Sequence, residues 1–168
     1  MIFGRPGGGK STFSLWLEDK TNLPLHHVDK FFFKERWVKR DPQEFLTMLE
    51  ALVAKPQWII DGNATKTLGV RYRHTDLCLY FCYPRWLCFW RVFKRRFQKR
   101  SAIDDRAPNC PERITWKLLV YMWGFEKRVN KILPALQKTC PDVRFVKVKN
   151  DRALNVLKNE IKSDISNG

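Results

Sequence analysis

The segment GRPGGGKS near the start of the chain restricts how the protein can fold more than any other feature. It runs from Gly4 to Ser11 with the spacing G-x-x-x-x-G-K-S. Glycines at this spacing let successive backbone N–H groups turn inward around a phosphate, because no side chain obstructs the turn. A helix that begins directly after the loop points its positive end at the same anion. The motif therefore predicts a strand, a phosphate-binding loop and a helix, in that order.

The strand before this loop is unusually short. Only Met1, Ile2 and Phe3 precede the motif, whereas a strand commonly has about five or six residues. Two explanations are open: the true start of the protein lies upstream of Met1, or the fold tolerates a shortened first strand. Missing residues would weaken packing and would not remove the phosphate-binding atoms. An amphipathic helical pattern follows the loop directly, which favours a working loop over a structural glycine turn.

Strand and helix signals alternate along the rest of the chain. After the Ile2–Phe3 stub, strands are predicted at LPLHHVD, which ends at Asp29, and at QWIIDGN, DLCLYFCY and VRFVKV. The strands are separated by helical segments, and the third and fourth are nearly continuous apolar runs, so parallel βαβ units are expected. The prediction is a three-layer α/β fold with a five-stranded parallel sheet.

Helix limits can also be predicted. Asp41 and Pro42 start one helix as N-cap and first residue, and Pro84 opens another. Aromatic residues at helical spacing give that second helix one apolar face: Trp86, Trp90, Phe93 and Phe97. A long helical stretch carrying Trp116, Leu119, Val120 and Trp123 is expected from Pro111 to about Lys138, and Asp151 is expected to cap a last helix ending near Lys162.

Length and charge limit the function classes. The 168 residues suit one domain, expected over 1–162 with a tail at 163–168. The formal charge is +15, from 32 Lys+Arg against 17 Asp+Glu. Such a surplus predicts a polyanionic partner, which is a nucleotide, a nucleic acid or an acidic membrane face. A solvated basic surface is the plain alternative.

Compartment signals are consistent with one another. The five cysteines form no C-x-x-C pair and no zinc spacing. An odd count without a framework indicates a reducing compartment. No apolar leader opens the chain, and Pro84 and Arg85 interrupt its most apolar run. We therefore expect a cytoplasmic protein with no membrane partner.

Candidate ligands follow from the ends of the predicted strands, where open α/β sheets bind their ligands. The loop glycines Gly4, Gly7, Gly8 and Gly9 would cradle phosphates. Lys10 would reach the β- and γ-phosphates of ATP, and Ser11 would ligate Mg²⁺. Asp61 follows WII, as a carboxylate near magnesium does, although an Asp-Gly turn would also suit it. Asp29 would orient an acceptor or accept its proton; an ordinary loop acid is the alternative.

Arginines supply the cations that phosphoryl transfer requires. Arg91 and Arg95 lie one helical turn apart, Arg106 lies in a polar loop, and Arg128 lies on the next helix. A basic helix, a loop and a second helix predict a lid over about residues 91–128. Arg71, between the third and fourth strands, would meet an acceptor. The cluster KRRFQKR could instead be a solvated face or touch nucleic-acid phosphates.

Six segments taken in order carry a family resemblance: GRPGGGKST, HHVDKFFF, WIIDGN, YPRWLCFWRVFKRR, DDRAPNCPE and YMWGFEKRV. With them, roughly residues 1–148 resemble the adenylate-kinase-like phosphate-loop proteins, and within those a bacterial branch called "DNA topology modulation" proteins. The resemblance implies a five-stranded parallel sheet, ATP and magnesium binding, and a nucleoside- or nucleotide-kinase-like site. It places ATP on Gly9, Lys10, Ser11 and Thr12, and Arg91 and Arg95 in the lid.

One segment departs from that family. Adenylate kinases carry LDGFPR, in which the arginine reads a monophosphate, whereas this chain has IDGNATKTLGVR. Asn63 takes the place of the phenylalanine, and the nearest arginine is Arg71. The acceptor would then be contacted by Asp29, Asn63, Arg71 and Arg128. It is expected to be a nucleoside, a nucleotide other than AMP, or another small molecule.

Three functional hypotheses follow. The first is a small Mg-ATP-dependent kinase that uses Lys10, Asp29, Asp61, Arg91, Arg95 and Arg106. The second is a nucleotide-gated DNA- or RNA-binding regulator, motivated by the +15 charge. The third is an ATPase without an acceptor. Two carboxylates beside a magnesium-ATP cradle favour the kinase, because a binding module needs neither.

Overall fold

A computed structural model describes residues 1–95, 107–110 and 114–166. The segments that form strands match the five predicted from sequence. They are β1 (Ile2–Gly4), β2 (Leu25–His27), β3 (Ile59–Asp61), β4 (Leu77–Phe81) and β5 (Arg144–Val148).

All five strands form one parallel sheet in the order β2-β3-β1-β4-β5. The short β1 is central, and its residues pair with β4 from Ile2↔Leu79 to Gly4↔Phe81. Since β1 has a neighbour on each side, its backbone groups are bonded despite its length. The predicted α/β fold with a five-stranded parallel sheet is confirmed.

Eight α-helices connect and cover these strands within the described residues. They are α1 (Lys10–Thr21), α2 (Val28–Phe32), α3 (Pro42–Val53), α4 (Leu68–Arg73), α5 (Arg85–Arg95), α6 (Trp116–Trp123), α7 (Phe125–Thr139) and α8 (Asp151–Ser166). Short 3₁₀ turns cover Glu35–Trp37 and Thr65–Thr67. Asp41 caps α3 as predicted, since its carboxylate accepts the N–H groups of Gln43 and Glu44.

Alternating strand residues sort the helices onto the two faces of the sheet. Leu79 and Phe81 pack in a core with side chains of α1, α5, α6 and α8. Cys78 and Tyr80 pack on the other face with side chains of α4 and α7, and α3 packs over Ile60. The result is a three-layer α/β/α arrangement, with the carboxyl ends of β1, β2 and β3 at one edge of the sheet.

Several element limits differ from the predicted ones. The strand β2 ends at His27, and Asp29 lies in the first turn of α2. Residues 111–113 lie outside the described residues, Ile114 and Thr115 precede α6, and Gly124 separates α6 from α7. The side chain of Thr115 accepts the N–H of Leu118, so threonine, not proline, caps α6.

The last helix also differs. Asn150 caps α8, because its Oδ1 accepts the N–H of Ala153 at 2.8 Å. Asp151 is the first residue inside the helix, and the helix continues to Ser166, within the segment expected to be a tail.

The aromatic face predicted on α5 points to solvent. Trp86, Trp90 and Phe93 are all exposed, whereas Cys88 and Val92 face the sheet; Phe97 lies outside the described residues. Helical spacing identified a face correctly but could not tell which face is buried, because α5 is apolar on both.

None of the helices in the described residues combines the length and the apolarity that crossing a lipid bilayer requires.

Candidate active site

The loop between β1 and α1 has the backbone that its glycines predict. Gly7 and Gly9 have φ angles of +81° and +87°, a region that residues with a side chain rarely adopt. A Cβ on Gly7 would lie 2.4 Å from the carbonyl oxygen of Cys88, so only glycine fits there. A Cβ on Gly9 would meet no atom within 4 Å, so the hollow side of the loop is open at this point. The loop is a shaped, open cradle at the helix N-terminus.

Lys10 lies over this loop. It is the first residue of α1, its side chain is only 9% exposed, and its Nζ donates to the carbonyl oxygen of Arg5 at 3.5 Å. The same carbonyl accepts the N–H of Gly8 at 3.0 Å, which closes a turn inside the loop. The ammonium group is therefore held at the cradle, next to the backbone amides. Ser11 follows, half-buried, and Thr12 is exposed.

The Arg5 side chain anchors the loop from behind. Its Nε and Nη1 donate to the carbonyl oxygens of Met122 at 3.1 Å and Tyr83 at 3.2 Å. Its Nη2 donates to Glu126 at 3.1 Å. The guanidinium, 4% exposed, thus connects the loop to Tyr83, the second residue after β4, and to α6 and α7.

Asp61 ends β3 beside the loop. Its Oδ2 lies 3.3 Å from Nδ1 of His27, the last residue of the neighbouring strand β2. Its other oxygen, Oδ1, is buried and has no hydrogen-bond partner among the described residues. A buried carboxylate oxygen without a donor is costly unless a ligand satisfies it. Asp61 therefore has one oxygen fixed by the protein and one available to a ligand.

This arrangement fits magnesium bound with a nucleotide. Within the described ranges, no group of three or more His, Cys, Asp or Glu side chains forms a cage for a metal ion. Mg²⁺ does not need one, since it is usually held by one or two protein oxygens together with water and substrate phosphates. The Oδ1 of Asp61 and the Ser11 hydroxyl are oxygens of the right kind.

Asp29 and Asn63 each lie two residues beyond the carboxyl end of a strand, Asp29 after β2 and Asn63 after β3. Asp29 is exposed in the first turn of α2. Asn63 is half-buried, and its Oδ1 accepts the N–H of Gly4 at 3.1 Å. Asn63 therefore fixes the first residue of the phosphate loop in this structure, and its contact with a substrate stays a prediction.

Arg71 is fully buried in α4. Its Nη1 donates to the carbonyl oxygen of Gly62 at 2.8 Å, and its Nη2 donates to those of Asn63 at 2.9 Å and Ala64 at 3.3 Å. Burial lowers the pKa of this guanidinium to about 10, and the acidic groups of Cys78, Asp61 and Asp29 oppose that shift. The guanidinium therefore holds the backbone that follows β3. Its contact with an acceptor stays a prediction.

The other predicted arginines are dispersed. The Arg91 guanidinium lies 4.7 Å from the centre of the Tyr83 ring and 3.5 Å from a carboxylate oxygen of Asp151. Arg95 is half-buried at the end of α5. Arg128 donates to the carbonyl oxygen of Tyr121 and stacks on that ring, 4.4 Å from its centre. Arg106 lies outside the described residues.

Two site residues were not identified from sequence. Arg5 occupies a variable position of the motif, where nothing distinguishes a buried anchor from a solvated cation. His27 alternates with His26 along the strand, which fixes its face but not its neighbour. Pairing it with Asp61 requires the register of β2 against β3, with His27 opposite Asp61. That register was not available from either segment alone.

Comparisons with known proteins add little to this geometry. No family model matches the chain, and no curated protein sequence matches it. Among solved structures, the chain is similar to an unliganded sugar kinase from Janibacter sp. HTCC2649, at 16% identity and a TM-score of 0.41, over 80% of this chain and 95% of that one. A similarity of this size leaves the function to the geometry of the site.

Proposed function

We propose that the protein is a Mg-ATP-dependent phosphotransferase that acts on a small, nucleotide-like acceptor. One observation carries the proposal: an open glycine loop with a buried lysine lies beside a buried carboxylate whose Oδ1 has no partner in the described residues. A structural glycine turn needs neither the lysine nor that oxygen. A nucleoside triphosphate requires such a lysine, and its metal ion requires such an oxygen.

The loop holds the donor in this proposal. The backbone N–H groups from Gly7 to Ser11 surround the β-phosphate, with the N-terminus of α1 behind them. The Nζ of Lys10 donates a long hydrogen bond of 3.5 Å to the Arg5 carbonyl oxygen. In the proposal it turns from this carbonyl to the β- and γ-phosphate oxygens. The exchange replaces a weak contact with a charge-assisted one. Thr12, one residue beyond Ser11, lies next to the phosphates.

Magnesium, when bound, would draw charge from the γ-phosphoryl oxygens. Ser11 and Asp61 would hold it, the serine through its hydroxyl and the aspartate through Oδ1. His27 keeps the other oxygen of Asp61 in place at 3.3 Å. A fixed carboxylate needs no reorganisation when the nucleotide arrives, which is the condition for effective electrostatic stabilisation.

The acceptor would enter at the exposed end of β2 and α2. Asp29 is exposed there and would accept the proton of the attacking hydroxyl as the bond to the γ-phosphorus forms. Asn63 would act here by holding Gly4 of the phosphate loop, and Arg71 by holding the backbone between β3 and α4. Arg128 is assigned to the far side of the acceptor.

The residues of about 91–128 form the lid in this proposal. Arg91, Arg95 and Arg106 would neutralise charge on the transferred phosphoryl group. For Arg91 this requires its guanidinium to leave Asp151 and the Tyr83 ring. Lid closure commonly exchanges such contacts for ligand contacts.

The experiment is label transfer from γ-labelled ATP to a panel of nucleosides, nucleoside monophosphates and sugars. The wild-type protein should label one acceptor class. Lys10→Ala should lower the rate by about a hundredfold or more, the usual effect of removing one group that binds transition-state charge. Lys20→Ala is the matched control, because Lys20 lies at the other end of α1 and pairs with Asp19 on the surface.

Each outcome separates the hypotheses. Unchanged transfer in the Lys10 variant excludes this site. Label that appears only in inorganic phosphate identifies an ATPase without an acceptor. Absence of any nucleotide turnover, with nucleic-acid binding that weakens by about tenfold or more from low to physiological salt, supports the regulator hypothesis instead.

A further inference from the structure

The surface of α5 and α6 exposes large apolar side chains that the proposed reaction does not use. Six of them are 53–78% exposed, and we call them the tryptophan surface: Trp86, Trp90, Phe93, Trp116, Val120 and Trp123. On each helix the three residues follow the spacing i, i+4 and i+7, which makes a stripe along one side. Exposed apolar patches of this kind mark interaction sites.

The two stripes adjoin. The ring of Phe89 on α5 lies 6.5 Å from that of Trp123 on α6, edge to face. The Arg85 guanidinium lies 4.4 Å from the centre of the same Trp123 ring. Because Phe89 is next to the α5 stripe and Trp123 belongs to the α6 stripe, these contacts join both into one surface.

The charged residues within the described helices α5 and α6 have one sign. The two helices contain basic residues and no acidic residue: Arg85, Arg91, Lys94 and Arg95 on α5, and Lys117 on α6. Lys94 and Lys117 are exposed. Glu126, the acidic residue at the start of α7, is bonded to Arg5. The surface therefore combines indole rings with the exposed positive charges of Lys94 and Lys117.

We propose that the tryptophan surface binds the surface of an anionic phospholipid membrane, with α5 and α6 lying at the interface. Indole rings favour the headgroup region, and exposed lysines beside them attract anionic lipids. This mode needs no spanning helix. It revises the sequence-based expectation that no membrane is a partner.

The same features disfavour two other occupants. A second copy placed symmetrically on this surface would bring the basic residues of both copies together. Single-stranded nucleic acid stacks its bases on aromatic rings, and Val120 within the α6 stripe offers no ring. Burial of the Val120 side chain in lipid, by contrast, would strengthen membrane binding. An anionic interface accommodates all six side chains.

The test measures binding of the full chain to vesicles of phosphatidylglycerol and phosphatidylcholine in equal parts, without nucleotide. Four of the seven tryptophans lie on the surface, so binding should shift the tryptophan emission to shorter wavelength, and the protein should sediment with the vesicles. Vesicles of phosphatidylcholine alone should bind much less, because they lack the negative charge.

Paired variants separate the apolar and the charged contributions. Trp86→Ser with Trp116→Ser should weaken binding to the mixed vesicles by about tenfold or more. Lys94→Ala with Lys117→Ala should weaken it by about fivefold for each lysine. Val156→Ser is the control, because Val156 is an exposed apolar residue on α8 that does not belong to the tryptophan surface. Circular dichroism checks that each variant is folded.

Three results would overturn the proposal. One is a wild-type protein that stays in solution with the mixed vesicles. Another is an emission shift that appears without lipid and grows with protein concentration, since that identifies self-association. The third is a single-stranded oligonucleotide that gives the shift and prevents vesicle binding. ATP turnover enters none of these readouts, so they do not depend on the proposed kinase.

Discussion

Two parts of the protein differ in the contacts that their polar groups already make. The first is the phosphate loop together with the end of β3, and the second is the set of arginines around it. At the loop, the hollow at Gly9 is open, and at Asp61 one oxygen is held by His27 while the other, Oδ1, is buried without a partner in the described residues. The guanidinium groups of Arg71, Arg91 and Arg128 instead contact carbonyl oxygens, a carboxylate or aromatic rings. Under the proposed function the first region is preorganised for its ligand, whereas the arginines would have to exchange partners to bind one.

The strongest test of this difference is Arg71→Met. It leaves the carbonyl oxygens of Gly62, Asn63 and Ala64 without their donor in a buried place. We expect the free energy of unfolding to fall by about 3–5 kcal/mol, measured by urea denaturation. Arg73→Met, on the exposed side of the same helix, should change it by about 0.5 kcal/mol or less. A stable Arg71 variant that loses only acceptor binding would make Arg71 a ligand and remove the contrast.

The next effect concerns Asp61→Asn. An amide keeps the shape of the side chain but lacks the negative charge that a metal ion requires. We expect phosphoryl transfer to slow by about a hundredfold and the magnesium concentration needed for half-maximal rate to rise. Asp142→Asn, on the surface before β5, should leave both unchanged. If the Asp61→Asn variant transfers phosphate at the wild-type rate, Oδ1 of Asp61 does not bind the metal ion.

A smaller effect is expected for Arg91→Ala. If the arginine leaves Asp151 during catalysis, kcat should fall by about tenfold, while the KM for ATP changes little. If Arg91 only fastens α5 to α8, thermal unfolding shifts and kcat stays the same. Asp151→Asn distinguishes the two cases, because it disrupts the same ion pair from the other side without removing the cation.

The smallest effect is a dependence of stability on alkaline pH. Burial raises the pKa of Cys78 from 9.0 to about 12, so the folded protein keeps this proton while the unfolded chain loses it. The stabilisation is complete below about pH 9 and is lost as the pH rises towards 12. Cys78→Ala should reduce the decline in unfolding free energy by about 1 kcal/mol between pH 9 and pH 10. An identical decline in both proteins would contradict this assignment.

Tyrosines add to the same decline at higher pH. Burial raises the pKa values of Tyr80 and Tyr121 to about 12. Burial, followed by the hydrogen bond to Asp151, raises that of Tyr83. Their share begins near the ordinary tyrosine pKa of about 10, so it does not obscure the effect of Cys78 below that pH.

The sequence was a good guide to groups placed by the backbone. The loop glycines, Lys10 and Asp61 are fixed by a local motif and by the end of a strand, and the structure puts them at one edge of the sheet. It was a poor guide to long side chains and to the orientation of faces. Arg5 and Arg71 select partners from distant segments, and the exposed side of α5 is as apolar as its buried side. The contact of His27 with Asp61 depends on a strand register that neither segment encodes alone.

The position of Arg5 has a mechanical consequence. Its backbone is part of the loop, and its side chain reaches the carbonyl oxygen of Met122 and the carboxylate of Glu126. Arg5 therefore links the phosphate loop directly to the corner of the chain around Gly124, where α6 ends and α7 begins. If that corner is displaced by an ångström or two, either these hydrogen bonds break or the displacement is transmitted to the curvature of the cradle.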